Sequence, residues 1–182
     1  FPAALQIVFN DKPKYLFDLG GNTGKWAISC CEYDKEVRVK ILDLPGQLDV
    51  AKNNAESKGL RERIDFFPIN FLDGQQKIPK GADAIWMSQF LDCFSPEEII
   101  RILKNVRQAS AKNTNIYILE PFIDNQKFEA ARYCLTGTSL YFTSMANGNS
   151  KMYSIKEMEK LVRKAGLKIV KTFPLIGESY HT

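Results

Sequence analysis

DLGGNTGKW, residues 18–26, sets three glycines and an asparagine between the apolar run YLFDL and a stretch with helical periodicity. A strand that enters a glycine-rich turn and then a helix brings backbone N–H groups and a helix N-terminus close to a ligand. Gly20, Gly21 and Gly24 have no Cβ to obstruct that approach, and Asn22 is the non-glycine type that best tolerates left-handed geometry. Three ligand classes compete for such a corner. A P-loop needs four residues between its first glycine and Gly-Lys, then Ser or Thr; here only Gly21, Asn22 and Thr23 separate Gly20 from Gly24, and Trp26 follows Lys25. The dinucleotide pattern G-x-G-x-x-G is also missing, which makes a nicotinamide cofactor the poorer choice. S-adenosylmethionine offers an ammonium, a carboxylate, a ribose diol and an adenine. Asp18, ending its strand, is placed to meet a cation directly or through water. Asp43, ending the next strand in KILDLPG, has the spacing at which an acid accepts from ribose hydroxyls. The plainer alternative is that Asp18 caps a helix and Asp43 opens a turn before Pro45.

Outward from this corner, short β-branched runs alternate with helical patterns, the signature of an α/β chain with a doubly wound, mostly parallel sheet. Strands are predicted at KYLFDL, VRVKIL, IDFFPI, ADAIWM, NIYILE and LKIVKTF, most of them nearly continuously apolar and so expected to be buried on both faces. One helix starts at SPEE, where Ser95 caps, Pro96 takes the first helical position and Glu98 closes a capping box; SIKE, residues 154–157, repeats the signature. The segment 124–149 reads as a long helix ended by an Asn-Gly turn. It could roof a pocket, while the simpler reading of Phe128, Tyr133, Leu140, Tyr141, Phe142 and Met145 is core or interface packing.

At 182 residues the chain fits one domain. Its net charge of +4 is small, and its densest charged stretch, KEMEKLVRK, alternates in sign, so no nucleic-acid footprint is present. No apolar run is long enough to span a bilayer. Four cysteines, Cys30, Cys31, Cys93 and Cys134, lack the paired spacing of a metal site, and the expectation is a reduced, cytoplasmic protein without metal. The opening FPAAL shows no signal-peptide pattern, and the chain reads as an excised piece of a longer one.

With these residues in hand, the chain resembles the class I methyltransferases, specifically the small-molecule O-methyltransferases of plant phenolic and bacterial polyketide type. DLGGNTG resembles the family's D-x-G-G-G-T-G, and LDLPG its D-L-P element. PINFLD, ADAIWMSQFLDCFSPEE, ILEPF and MANGNSKMYSIKEMEKLVRKAGLKIV follow the family's later segments. The resemblance implies a Rossmann-like sheet of order 3-2-1-4-5-7-6, with the last strand beginning near SYHT and incomplete. It implies that residues 1–182 form an S-adenosylmethionine-binding domain without the family's N-terminal helical domain, through which a homodimer would form. Leu44 joins Asp43 at the cofactor, Asn70 stands where members carry an acid near the adenine, and Phe71 flanks the ring. Ser88 replaces a lysine common in plant members.

Methyl transfer to a hydroxyl of a small aromatic or polyketide-like acceptor is the activity the resemblance implies; a cofactor-binding module without catalysis is the alternative. An in-line displacement asks the protein chiefly to align the acceptor and exclude water, with a base where a proton must leave. Plant members supply a histidine in L-H-D-W. Here LDCF puts Asp92 at that position, and an aspartate near its ordinary pKa of about 3.9 is a poor base for a phenol unless burial raises it. Glu120 in ILEPF resembles the acid that supports the base. His181, the only histidine, reads as structural or exposed, and Cys93 as a small buried packer.

Overall fold

The computed structural model describes residues 1–176. The chain divides into two units, the first made of Phe1–Ser88 with Ala109–Ile118, the second of Gln89–Gln108 with the described residues from 119 on. The sheet is built from β1 (Tyr15–Leu19), β2 (Arg38–Asp43), β3 (Ile64–Pro68), β4 (Ala84–Ser88) and β5 (Asn115–Leu119), in the order β3-β2-β1-β4-β5. The β1/β2, β1/β4 and β2/β3 pairs are parallel. Chain order reverses at β1, so the crevice outside the carboxyl ends of β1 and β4 is the topological switch point where ligands of such sheets bind.

The central strands are apolar where they are covered: Leu16, Leu19, Ile41, Leu42, Ile85 and Met87 are fully buried, whereas Tyr15 and Arg38, at the amino ends of β1 and β2, are exposed. The two edge strands differ from the expectation of burial on both faces. Along β3 only Ile64 is buried and along β5 only Leu119, since an edge strand has less to pack against.

In the first unit α1 (Pro2–Phe9), α2 (Lys25–Tyr33) and α3 (Pro45–Ser57) accompany the strands. The chain's two tryptophans, Trp26 in the first turn of α2 and Trp86 on β4, stack with centroids 4.0 Å apart and planes 15° from parallel. The Arg63 guanidinium locks the turn from α2 to β2, donating to the carbonyls of Cys31 at 2.9 Å, Asp34 at 2.6 Å and Val37 at 2.7 Å. Charge-assisted bonds to otherwise unmatched carbonyls are the stronger kind. Arg63→Ala is expected to cost about 3 kcal/mol and lower the melting temperature by about 10 °C. Thermal unfolding of the variant measures this, and a change within error of zero would show that the clamp is dispensable.

In the second unit α4 (Pro96–Ala109) begins as predicted: the Ser95 amide donates to Glu98 Oε2 at 2.8 Å while Glu98 donates its amide to Ser95 Oγ at 3.4 Å. The same reciprocal box opens α6 (Ile155–Lys164), with Ser154 and Glu157. The long helix is α5 (Glu129–Phe142), continued by a wider turn over Thr143–Asn147 and stopped by Gly148 at φ 77°. Core packing for this helix is overturned, because α5 has no buried residue, and Tyr133 (80% exposed), Leu140 and Tyr141 face outward with Phe128 and Met145.

The predicted strand at LKIVKTF is not formed: residues 167–173 join no ladder, and Val170 is 91% exposed. In the expected order this strand would pair only with a seventh, and among the described residues no seventh strand exists to supply its hydrogen bonds. The start of that seventh strand at SYHT, and His181 with it, lie outside the described residues.

Candidate functional site

The first unit gathers its predicted residues at the carboxyl end of β1. Gly20 (φ 69°), Asn22 (φ 48°) and Gly24 (φ 76°) all take left-handed backbone, which turns the strand sharply into α2. Gly20 donates its amide to Leu42 O at 2.9 Å, tying the turn to β2. Gly21 is a glycine for a different reason: a Cβ there would lie 2.6 Å from Asp18 Oδ2 and 2.8 Å from Ile41 Cγ2. α2 starts without a side-chain cap, so the N–H groups of its first turn stay available to a ligand.

Asp43 faces this corner. Its Oδ2 accepts the Asn22 amide at 2.8 Å and its Oδ1 the Leu44 amide at 2.7 Å, leaving each oxygen a further lone pair. The turn-opening role weighed for Asp43 is thus real and compatible with ligand binding. Asp18 caps no helix. It is 3% exposed, its Oδ2 has no hydrogen-bond partner, and burial first, then the Asp43 charge, push its pKa up to about 8. A buried carboxyl oxygen without a partner costs free energy that a bound donor would return.

The segment after β3 comes alongside through the Ile69 amide, which donates to Asp43 O at 2.9 Å. Asn70 accepts the Leu72 amide at its Oδ1 and donates its own amide to Gln76 Oε1, so part of its capacity is spent on its own turn. Phe71 follows, half-buried, and Ser88, also half-buried, ends β4. Sequence reasoning missed Asn54 on α3, whose Nδ2 donates to Thr23 O at 2.8 Å and pins the loop from the side. An asparagine within a helix gives no pattern that could have found it.

Asp92 and Glu120 belong to the second unit. Glu120 is 2% exposed; its Oε1 accepts the amides of Phe90 at 3.0 Å and Leu91 at 2.9 Å, and its Oε2 has no partner. Burial and the neighbouring Asp92 charge raise its pKa well above the carboxylate range, against the pull of those amides. Asp92 sits on the short turn Leu91–Cys93, and burial raises its pKa too, opposed by the Cys93 thiol that donates to Oδ1 at 3.5 Å. Burial thus shifts Asp92 in the direction that a base for a hydroxyl proton requires. Cys93 is not the buried packer expected: the residue is exposed, while its thiol, partly enclosed beside Asp92, has a pKa pushed up to about 12. It is no nucleophile.

Among the described residues no helix is long and apolar enough to cross a membrane. Residues 4–168 match the family model of the O-methyltransferase domain. Mitomycin biosynthesis 6-O-methyltransferase of Streptomyces lavendulae is 22% identical over 86% of this chain and 42% of its own. Norreticuline-7-O-methyltransferase of Papaver somniferum is 28% identical over 87% of this chain and 41% of its own. Of solved structures, mitomycin 7-O-methyltransferase MmcR superposes with a TM-score of 0.84 at 21% identity, covering 99% of this chain and 51% of that one. NcsB1, solved with S-adenosylmethionine and 2-hydroxy-5-methyl naphthoic acid, gives a TM-score of 0.78 at 22% identity, over 98% of this chain and 47% of that one. The chain thus spans about half the length of the proteins it matches.

Proposed function

Because the chain belongs to the O-methyltransferase domain family, we propose that it is the cofactor-binding part of an S-adenosylmethionine-dependent O-methyltransferase acting on a hydroxyl of a small aromatic or polyketide-like acceptor. The single observation that carries this reading is the buried, unpartnered Asp18 Oδ2 beside a corner where even one Cβ would not fit. Those residues suit the group. Asp18 would receive the ammonium, Asp43 the ribose hydroxyls, and the Gly21 amide with the uncapped N–H groups of the first turn of α2, which the left-handed Gly20 and Gly24 present, the rest of the amino-acid moiety. Leu44, Asn70, Phe71 and Ser88 would border the adenosine. S-adenosylmethionine, when bound, supplies a methyl already activated by its sulfonium. Asp92 would take the acceptor's hydroxyl proton, and Glu120, held by the Phe90 and Leu91 amides, would position it.

Calorimetry of the chain with S-adenosylmethionine and with its demethylated product is expected to show micromolar binding; no heat and no thermal shift at millimolar ligand would overturn the reading. In the full-length enzyme, Asp92→Asn is expected to lower kcat about 100-fold while affinity for the demethylated product stays unchanged. Turnover equal to wild type would remove Asp92 from the role of base. A homodimer, a cytoplasmic setting and the lack of a nucleic-acid partner belong to the same proposal, and sedimentation of the full-length protein checks the first.

A further inference from the structure

We propose that a cleft on the β1–β3 sheet face, at the opposite ends of the strands from the glycine corner, binds a small single-ring aromatic anion. Side chains alternate along strands, so Tyr15 and Phe17 share a face with Arg38 and Lys40, the register partners of β1 and β2, and with Asp65, the partner of Lys40 on β3. Ile41 points the other way, to where Ala51 of α3 comes within 3.3 Å of the position of a Gly24 Cβ, as Ile41 itself does. The face carrying Lys40 is therefore the one α3 leaves open. No helix covers it from the following segment either, because residues 69–83 run from β3 to β4 through turns alone.

The result is a cleft of about 250 Å³ with Lys80 and Gly81 on its far wall. That volume lies just below the range of about 300–1,000 Å³ typical of drug-sized ligands and suits one ring with its substituents. Phe17, 5% exposed, forms the base, with the Lys40 ammonium 5.5 Å above its ring centroid. Tyr15, 52% exposed on one side, offers a second ring. Arg38 spends one nitrogen on Glu62 O at 2.8 Å. Among the described residues Lys40, Lys80 and Arg38 make no ion pair, and the Asp65 carboxylate, on a residue whose backbone belongs to the β2/β3 ladder, makes neither an ion pair nor a hydrogen bond. Rings at the base, three cations around them and one free carboxylate match a ring bearing an anionic group, with a hydroxyl or amine that Asp65 can accept from.

The test is amide NMR of the 182-residue chain saturated with S-adenosylhomocysteine, titrated separately with 4-hydroxybenzoate, phenol and inorganic phosphate. Expected are millimolar 4-hydroxybenzoate binding with shifts centred on Tyr15, Phe17 and Gly81, and weakening by at least about tenfold in Lys40→Ala/Lys80→Ala. Cofactor-product affinity should be unchanged in that variant, which separates this site from the glycine corner. Equal response to phenol, equal response to phosphate, no response at these amides, or an unaffected double variant would each overturn the proposal.

Discussion

Asp18→Asn is expected to stabilise the ligand-free chain at neutral and alkaline pH while weakening S-adenosylmethionine binding by about 10- to 100-fold. Both effects come from one buried carboxyl whose pKa is raised from 3.8 to about 8 by burial and by Asp43. Between those values the folded chain keeps a proton that the unfolded chain has released, so stability falls as pH rises from about 4 to about 8 and levels off above. Each tenfold difference in proton affinity is worth about 1.4 kcal/mol, which makes the loss a few kcal/mol. Asparagine does not titrate, and denaturation of the variant should lose this slope. A ligand ammonium reverses the balance by favouring the ionised carboxyl. Wild-type binding at slightly acid pH should therefore release about one proton, visible when calorimetry is repeated in buffers of different ionisation heat. The variant should release none. Equal affinity and equal proton release in the two proteins would separate Asp18 from the ligand.

Gly21→Ala should be the most damaging small change in the first unit. The added Cβ would stand 2.6 Å from Asp18 Oδ2, 2.8 Å from Ile41 Cγ2 and 2.9 Å from Asp18 Cγ, and both neighbours are buried strand residues that cannot swing aside. A cost of about 2–4 kcal/mol follows, with loss of detectable cofactor binding, because relief requires moving the carboxyl that would hold the ammonium. Gly46→Ala sets the scale: nothing lies within 4 Å of its Cβ, and in the first turn of α3 alanine should match or slightly improve stability. Chemical denaturation of the two variants decides it, and similar midpoints would mean that the corner relaxes freely.

What could be read from the sequence was what local chemistry determines. The glycine corner, Asn22 and both capping boxes depend on residues within a few positions of one another, and all stand as expected. Five strands were legible from apolar runs, which the sheet buries along β1, β2 and β4 and covers only in part at the edges β3 and β5. The sixth run, LKIVKTF, has the same composition, but a strand exists only with a partner, and composition does not announce one. α1 escaped notice because its eight residues are marked only by Pro2. Arg63 and Asn54 act on carbonyls 26 to 32 positions away, a reach that no periodicity records. In the carboxyl pair, the positions followed from resemblance, while the burial that changes their proton affinity is a property of packing.

The Trp26–Trp86 stack has an optical consequence. Two indoles 4.0 Å apart and nearly parallel share their excited state, and they are the chain's whole tryptophan content. Intrinsic emission is thus a local gauge: it reports the junction of α2 with β4, within the helix turn that leaves the glycine corner.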